Sequence, residues 1–129
     1  MSKAKILMIE DNEQNRYLAT FLLKAHDYEV LSAEDGAQGI EMAARVVPAL
    51  ILLDIQLPTM DGYTVACELR KNPELSSIPI IAVTSYAMTG DRERALKAGC
   101  CGYIEKPINP ETFVKEIEQY IRDREVSNE

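Results

Sequence analysis

The chain alternates short apolar runs with longer segments of helical periodicity. The apolar runs are rich in leucine and β-branched residues and have the length of buried strands. They occur at 5–9, 28–31, 50–53, 79–83 and 103–104. The run 50–53 contains no polar residue, which is typical of a strand covered on both faces of a parallel sheet. The pattern therefore predicts five buried strands.

The segments that follow the first two strands have the period of amphipathic helices. In segment 12–25 we assign four apolar residues to one face: Leu18, Phe21, Leu22 and Ala25. In segment 37–47 we assign three: Ile40, Ala44 and Val47. Pro48 ends the second helix.

Capping residues mark three further helices. Asp61 is suited to cap a third helix, and Gly99 to end a fourth that spans 91–98. The pair Asn109 and Pro110 starts a fifth, whose inward residues are Phe113, Ile117, Tyr120 and Ile121. Segment 72–77 is predicted to be a loop.

Strands that alternate with helices form an α/β fold, in which a parallel sheet is covered on both sides. The apolar pattern alone leaves the strand order open. For five βα units we expect the flavodoxin-like (βα)5 doubly wound sheet, with strand order 2-1-3-4-5. A single domain is expected over 4–124, with a flexible C-terminal tail at 125–129.

Composition narrows the classes of function. The 129 residues contain 21 acidic and 14 basic side chains, so the net charge of -7 disfavours direct nucleic-acid binding. No apolar run approaches the length of a membrane span, and a cytoplasmic protein is expected. Cys67, Cys100 and Cys101 fit neither a disulfide framework nor a metal-binding spacing. The adjacent pair is expected to be small buried residues.

Chemically active side chains follow four of the predicted strands. Glu10 and Asp11 follow the first, Asp54 the third, Thr84 the fourth and Lys106 the fifth. The carboxyl ends of parallel strands lie at one edge of the sheet, so these side chains should converge. Carboxylates that lie so near to each other raise each other's pKa unless a cation lies between them. Mg²⁺ suits such a site because it takes few carboxylates and accepts phosphate oxygens.

Carboxylates, Mg²⁺, a lysine and a hydroxyl together make a phosphoryl-transfer site, in which one carboxylate can become an aspartyl-phosphate. Each residue alone also has an ordinary explanation. Asp54 could be a turn residue, and Glu10 and Asp11 could complement a helix dipole. Their occurrence at corresponding strand ends favours a joint site.

Over about 4–124 the chain resembles the receiver domain of a bacterial two-component response regulator. The segments that carry the resemblance are 6–12 (ILMIEDN), 54–58 (DIQLP), 60–62 (MDG), 83–85 (VTS) and 103–107 (YIEKP). Within the family the chain is similar to stand-alone regulators of the DivK type, through the segments 10–13, 54–58 and 106–108.

The resemblance implies a role for each site residue. Asp54 would be the phosphoacceptor. Asp11, Asp54 and the backbone carbonyl of Gln56 would hold Mg²⁺, with Glu10 acting through water. Lys106 would pair with the phosphoryl group.

The resemblance also implies a switch. Thr84 would donate its hydroxyl to the phosphoryl group, and the ring of Tyr103 would turn inward. The bond between Lys106 and Pro107 would be cis.

The implied function is a phosphoacceptor switch in a two-component system or phosphorelay. It is not an enzyme beyond intrinsic self-phosphorylation and self-dephosphorylation. The expected phosphoryl donor is a histidine kinase or a histidine phosphotransfer protein. A downstream target protein would bind the face formed by the fourth helix, fifth strand and fifth helix. The chain could also be a receiver excised from a larger hybrid kinase.

Three other classes of function compete with this one. A phosphatase of the haloacid dehalogenase type needs a second aspartate two residues after the first, where this chain has Gln56. A flavin or nucleotide binder needs a phosphate loop after the first strand, where Glu10 and Asp11 repel phosphate. A pseudo-receiver would bind its partners unmodified.

Tyr86 is expected to shield a phosphoryl group on Asp54 from water.

Overall fold

A computed structural model of the chain describes residues 4–85 and 90–127. Within them, strands and helices alternate in the order β1 (Lys5–Ile9), α1 (Glu13–Lys24), β2 (Glu29–Ala33), α2 (Gly36–Val46), β3 (Leu50–Asp54), α3 (Gly62–Lys71), a 3-10 turn (Pro73–Leu75), β4 (Ile80–Thr84), α4 (Asp91–Ala98), β5 (Gly102–Glu105) and α5 (Phe113–Ser127). The predicted succession of elements is confirmed. None of the helices in the described part of the chain is long and apolar enough to cross a membrane.

The strands form one parallel sheet in the order β2-β1-β3-β4-β5. This is the predicted flavodoxin-like order. The chain winds outward from β1 in both directions, so the order reverses between β1 and β3. A crevice opens at such a reversal, at the carboxyl ends of the strands.

The core consists of two apolar layers, one on each face of the sheet. Successive side chains of a strand point to opposite faces. In β3, Ile51 and Leu53 join the layer beneath α2, α3 and α4, whereas Leu50 and Leu52 join the layer beneath α1 and α5. This explains why the third apolar run contains no polar residue before Asp54.

The buried face of α1 differs from the predicted one. The residues of α1 that are fully buried are Ala19 and Leu23, whereas the predicted inward residue Phe21 is 60% exposed. Leu18 and Leu22 lie at the margin of the core layer. Helical spacing predicted an apolar stripe, but the small side chain of Ala19 fixes where the helix approaches the sheet.

The buried face of α2 is also shifted. Its buried residues are Gly36, Gly39 and Ala43, whereas Val47 is 43% exposed. A Cβ atom on Gly39 would lie 2.5 Å from Cδ1 of Ile9. Glycine therefore allows the helix to approach β1, which an apolar-residue count does not predict.

The predicted ends of two helices are confirmed, the Asp61 cap of α3 and the end of α4 at Gly99, whereas α5 begins at Phe113, after the predicted start at Asn109 and Pro110. Asp61 accepts a hydrogen bond from the backbone N–H of Thr64, as expected of the α3 cap. The predicted loop at 72–77 contains the short 3-10 turn. Helix α5 continues to Ser127, into the predicted tail at 125–129, because no glycine or proline interrupts it. Residues 128 and 129 lie outside the described residues.

Arg70, at the end of α3, forms hydrogen bonds to the C-terminal end of α4. Its Nε and Nη2 donate to the carbonyl oxygen of Gly99 at 2.9 and 2.7 Å. Its Nη1 donates to the carbonyl oxygens of Leu75, Ser76 and Ile78 at 3.0, 3.1 and 2.8 Å. One guanidinium therefore links α3, the segment before β4 and the end of α4. Because the Arg70 guanidinium provides several N–H donors in one plane, it can donate to all of these carbonyl oxygens at once.

The adjacent cysteines differ in exposure. Cys100 is buried as predicted, but Cys101 is exposed, as is Cys67. Burial raises the pKa of the Cys100 thiol to about 12. The prediction was therefore right for Cys100 and wrong for Cys101, both of which precede β5.

Candidate functional site

Three carboxylates converge at the carboxyl edge of the sheet. Glu10 follows β1, Asp54 ends β3, and oxygen atoms of Glu10, Asp11 and Asp54 all lie within 4.8 Å of one another. Glu10 and Asp54 are buried, whereas Asp11 is exposed. The cluster is thus closed from below by the sheet and open to solvent on the side of Asp11.

Lys106 supplies a positive charge to the cluster. Its Nζ lies 2.7 Å from Oε1 of Glu10 and 3.3 Å from Oδ2 of Asp54. Burial alone would lower the pKa of Lys106, but its contacts with Glu10 and Asp54 outweigh burial and raise it. The ammonium group is therefore charged at neutral pH. The peptide bond between Lys106 and Pro107 is cis, as the resemblance implied.

The backbone after β3 holds Asp54 in place. The N–H of Gln56 donates to Oδ1 of Asp54 at 2.9 Å, and the N–H of Gly62 donates to the carbonyl oxygen of Ile55 at 2.9 Å. A Cβ atom on Gly62 would lie 2.7 Å from the Asp54 carbonyl oxygen. The loop 55–61 therefore folds back closely onto the end of β3. The N–H of Gln56 therefore contacts Asp54, while the role of its backbone carbonyl as a metal ligand stays a prediction.

The charge in the cluster is poorly balanced by the protein alone. Burial, and then the neighbouring Asp54, raise the pKa of Glu10 to about 7, although Lys106 acts in the opposite direction. The approach of Lys106 to Glu10 Oε1 has the distance but not the angles of a hydrogen bond. Within the described residues this buried oxygen has no hydrogen-bond partner. An oxygen-only donor set of this kind fits a hard divalent cation.

Thr84 and Tyr103 lie on the two strands beyond Asp54. Asp54 pairs with Val83, so the next residue of β4, Thr84, reaches the same edge of the sheet. Its carbonyl oxygen accepts a hydrogen bond from the N–H of Lys106 at 2.8 Å. Tyr103 is half-buried on β5 and packs against the layer beneath α2, α3 and α4. Tyr86 lies outside the described residues, so its predicted shielding role stays a prediction.

Sequence reasoning missed two residues of α1 and its cap that touch Glu10. The N–H of Asn12 donates to Oε2 of Glu10 at 3.4 Å, and Nη1 of Arg16 donates to the carbonyl oxygen of Glu10 at 2.8 Å. One signal for Arg16 was present in the sequence. Side chains of a helix lean towards its N-terminus, so a basic residue early in a helix that follows an acidic strand end can reach back to it.

Comparison with known families and proteins agrees with this geometry. The model of the response regulator receiver domain matches residues 6–118. The polar-differentiation response regulator DivK of Brucella anthropi is 42% identical over 118 residues, which cover 92% of this chain and 96% of that protein. DivK of Brucella ovis matches with the same identity and coverage.

Solved structures share the fold. The receiver domain of the sensor histidine kinase PA1611 from Pseudomonas aeruginosa, with a magnesium ion coordinated in its active site cleft, has a TM-score of 0.84 and 35% sequence identity, over 92% of this chain and 97% of that one. The chemotaxis protein CheY4 of Vibrio cholerae has a TM-score of 0.86 and 27% identity, over 90% of this chain and 97% of that one.

Proposed function

Because the chain belongs to the response regulator receiver domain family, we propose that it is a phosphoacceptor switch in which Asp54 receives the phosphoryl group. One observation carries the proposal. The buried Asp54 carboxylate lies 3.3 Å from the ammonium of Lys106 and within 4.8 Å of two further carboxylates. A charge arrangement of this kind stabilises phosphoryl transfer.

The metal in this proposal is Mg²⁺, held by Asp11, Asp54 and the backbone carbonyl of Gln56, with Glu10 acting through water. When bound, it neutralises the charge that gathers on the transferring phosphoryl oxygens. Two buried carboxylates that share one ammonium group, and the absence of sulfur or nitrogen donors from the acidic cluster, support this choice of metal.

The chemical step is a displacement at phosphorus. An Asp54 carboxylate oxygen forms a bond to phosphorus while the bond between phosphorus and the imidazole nitrogen of a phosphohistidine breaks. The imidazole leaves with that electron pair. Lys106, already charged beside Asp54, stabilises the phosphoryl oxygens through a charge-assisted contact. The chain accepts the group and then signals with it, rather than turning over a substrate as an enzyme would.

The conformational consequence starts from the added charge. A phosphoryl group brings nearly two negative charges and three acceptor oxygens, which attract the hydroxyl of Thr84. Movement of Thr84 towards Asp54 makes room for the ring of Tyr103 to turn inward. Reversing a strongly biased two-state equilibrium takes about 5 kcal/mol of differential stabilisation. A few charge-assisted hydrogen bonds can supply it.

The partners in this proposal bind two different surfaces. A histidine kinase or a histidine phosphotransfer protein docks beside the acidic cluster on α1, where Tyr17 is 73% and Phe21 60% exposed and their rings stack at 6.4 Å. Exposed aromatic residues at such a position favour a protein contact. A downstream target binds the face of α4, β5 and α5, where a groove is lined by Tyr103, Ile104, Glu116, Gln119 and Tyr120. The proposed location is the cytoplasm.

The proposal is tested by incubating the protein with a small phosphodonor and Mg²⁺ and measuring its intact mass. We expect the wild type to gain one phosphoryl group and Asp54→Asn to gain none. Asp61→Asn is the matched control, because Asp61 is an exposed helix cap. Modification of Asp54→Asn at the rate of the wild type would overturn the assignment.

A further inference from the structure

We propose that Arg16 is a positioning residue for the metal-binding acids. It fixes the main chain of Glu10 and, through the next peptide, the placement of Asp11. The inference rests on the proposed function of the acidic cluster. Arg16 itself contacts none of the reacting atoms.

The contacts of Arg16 run towards the main chain of the acidic pair. Its Nη1 donates to the carbonyl oxygen of Glu10 at 2.8 Å. Its Nη2 lies 3.5 Å from Oε1 of Glu34, in the loop between β2 and α2. The side chain of Arg16 is only 16% exposed, whereas that of Glu34 is 73% exposed. Of the two contacts of Arg16, the hydrogen bond to Glu10 is therefore the shorter and the less exposed to solvent.

Glu10 is held at both its backbone N–H and its carbonyl oxygen. Its N–H donates to the carbonyl oxygen of Ala33 at 3.0 Å, which continues the pairing of β1 with β2. Its carbonyl oxygen faces the same strand, but the pairing with β2 ends at Ala33, and Arg16 supplies the donor in place of a strand. The peptide that joins Glu10 to Asp11 begins at this carbonyl. Arg16 therefore sets the plane of that peptide.

Asp11 depends on this plane more than the other two acids do. Glu10 and Asp54 are buried among other side chains, whereas Asp11 is exposed. Its carboxylate oxygen nevertheless lies within 4.8 Å of the other two. With little packing around Asp11, the backbone that precedes it determines where its carboxylate points. A bond that fixes this backbone preorganises the cation site.

Charge and positioning predict opposite effects of removing Arg16. The guanidinium is a positive charge near a cation site, so on Coulomb grounds its removal would strengthen Mg²⁺ binding. Loss of a positioning bond would weaken Mg²⁺ binding, and partners that orient metal ligands typically contribute about 10-fold to 100-fold in affinity. The sign of the change therefore separates the two roles.

The experiment is a calorimetric titration of the metal-free protein with Mg²⁺, at a temperature where circular dichroism shows each variant folded. We expect Arg16→Gln to bind Mg²⁺ about tenfold more weakly than the wild type. Arg16→Lys keeps the charge and one donor, so it should recover part of the affinity. Glu34→Gln is the matched control and should bind as the wild type does, because it leaves the bond to Glu10 intact.

Binding by Arg16→Gln that equals or exceeds the wild type would overturn the proposal. If Arg16→Gln fails to fold, affinity in Arg16→Lys equal to that of the wild type, together with unchanged amide chemical shifts of Glu10 and Asp11, overturns it equally. Failure here is distinct from failure of the phosphoacceptor assignment. The titration involves no phosphodonor, and Asp54 modification is read by mass.

Discussion

The buried carboxyl group of Glu10 makes the stability of the metal-free protein depend on pH. Burial, and then Asp54, raise its pKa in the folded state from 4.5 to about 7. The unfolded chain has the ordinary value, so between these two pH values the folded state holds a proton that the unfolded state has released. The free energy of unfolding contributed by Glu10 therefore falls as the pH rises through this window.

We expect Glu10→Gln to remove this part of the pH dependence. Denaturant unfolding in the presence of a chelator, from below pH 4.5 to above pH 7, measures it. The wild type should lose stability relative to the variant as the pH rises. Parallel curves for the two proteins would show that Glu10 does not carry the effect.

The sequence predicted which side chains meet at this edge of the sheet better than it predicted the residues that support them. Glu10, Asp11, Asp54 and Lys106 could be found because each follows a strand, and parallel strands end at one edge. Arg16 could not be found in the same way, because its role depends on a backbone carbonyl that has left the sheet ladder. Which carbonyl lacks a strand partner is known only once the register is known.

At the scale of elements, arginine contacts with α3 hold α4 in the part of the chain that the structure describes. Within the described residues its buried side chain is Ala95, and its N-terminal cap Gly90 makes no side-chain hydrogen bond. The guanidinium of Arg94 lies 4.2 Å from the centre of the Tyr63 ring on α3. The hydrogen bonds of Arg70 to Gly99 fasten the other end. Much of the stabilisation of α4 therefore comes from arginine contacts with α3.

We expect Arg70→Ala to lower the free energy of unfolding by about 2 to 3 kcal/mol, because carbonyl groups that are partly buried lose a charged donor. Arg45→Ala is the matched control, since Arg45 makes an exposed ion pair with Glu41 at 3.8 Å. Its loss should cost less than about 0.5 kcal/mol. Chemical denaturation measures both, and equal losses would contradict the role of Arg70.

Element boundaries were more predictable than helix orientation. Cap residues such as Asp61 have a local cause, a side-chain oxygen that accepts a backbone N–H, so the sequence reveals them. The orientation of α1 and α2 depends on where Ala19 and Gly39 allow close approach to the sheet. Such contacts are long-range, and this is why Phe21 and Val47 were placed on the wrong faces.

At the scale of the whole molecule, Mg²⁺ binding should stabilise the fold, because the three acids meet only when the strands are assembled. At a concentration 100 times the dissociation constant the gain is about 2.7 kcal/mol. We expect the melting temperature of the wild type to rise with Mg²⁺ and that of Asp11→Asn to change little.

Asp27→Asn is the control for this measurement. Asp27 is exposed and has a φ of 71°, a conformation that asparagine adopts readily. This variant should keep the full response to Mg²⁺. An Asp11→Asn variant that responds as strongly as the wild type would place the cation elsewhere.

The global topology was predictable because few arrangements suit five βα units. Short crossovers and a buried parallel sheet leave the doubly wound order as the expected solution. The apolar runs alone did not contain the strand order. The allocation of Leu52 and Leu53 to different layers follows only when the sheet is in place.

The exposed rings of Tyr17 and Phe21 sit on a helix whose inward side is anchored by Ala19 and Leu23. Outer positions of this kind can be exchanged at little cost to the fold, since they bury little surface. The acids at the strand ends would be untouched by such exchanges. With a donor docked on α1 as proposed, a handful of surface substitutions would change the donor while the proposed phosphoacceptor chemistry stayed the same.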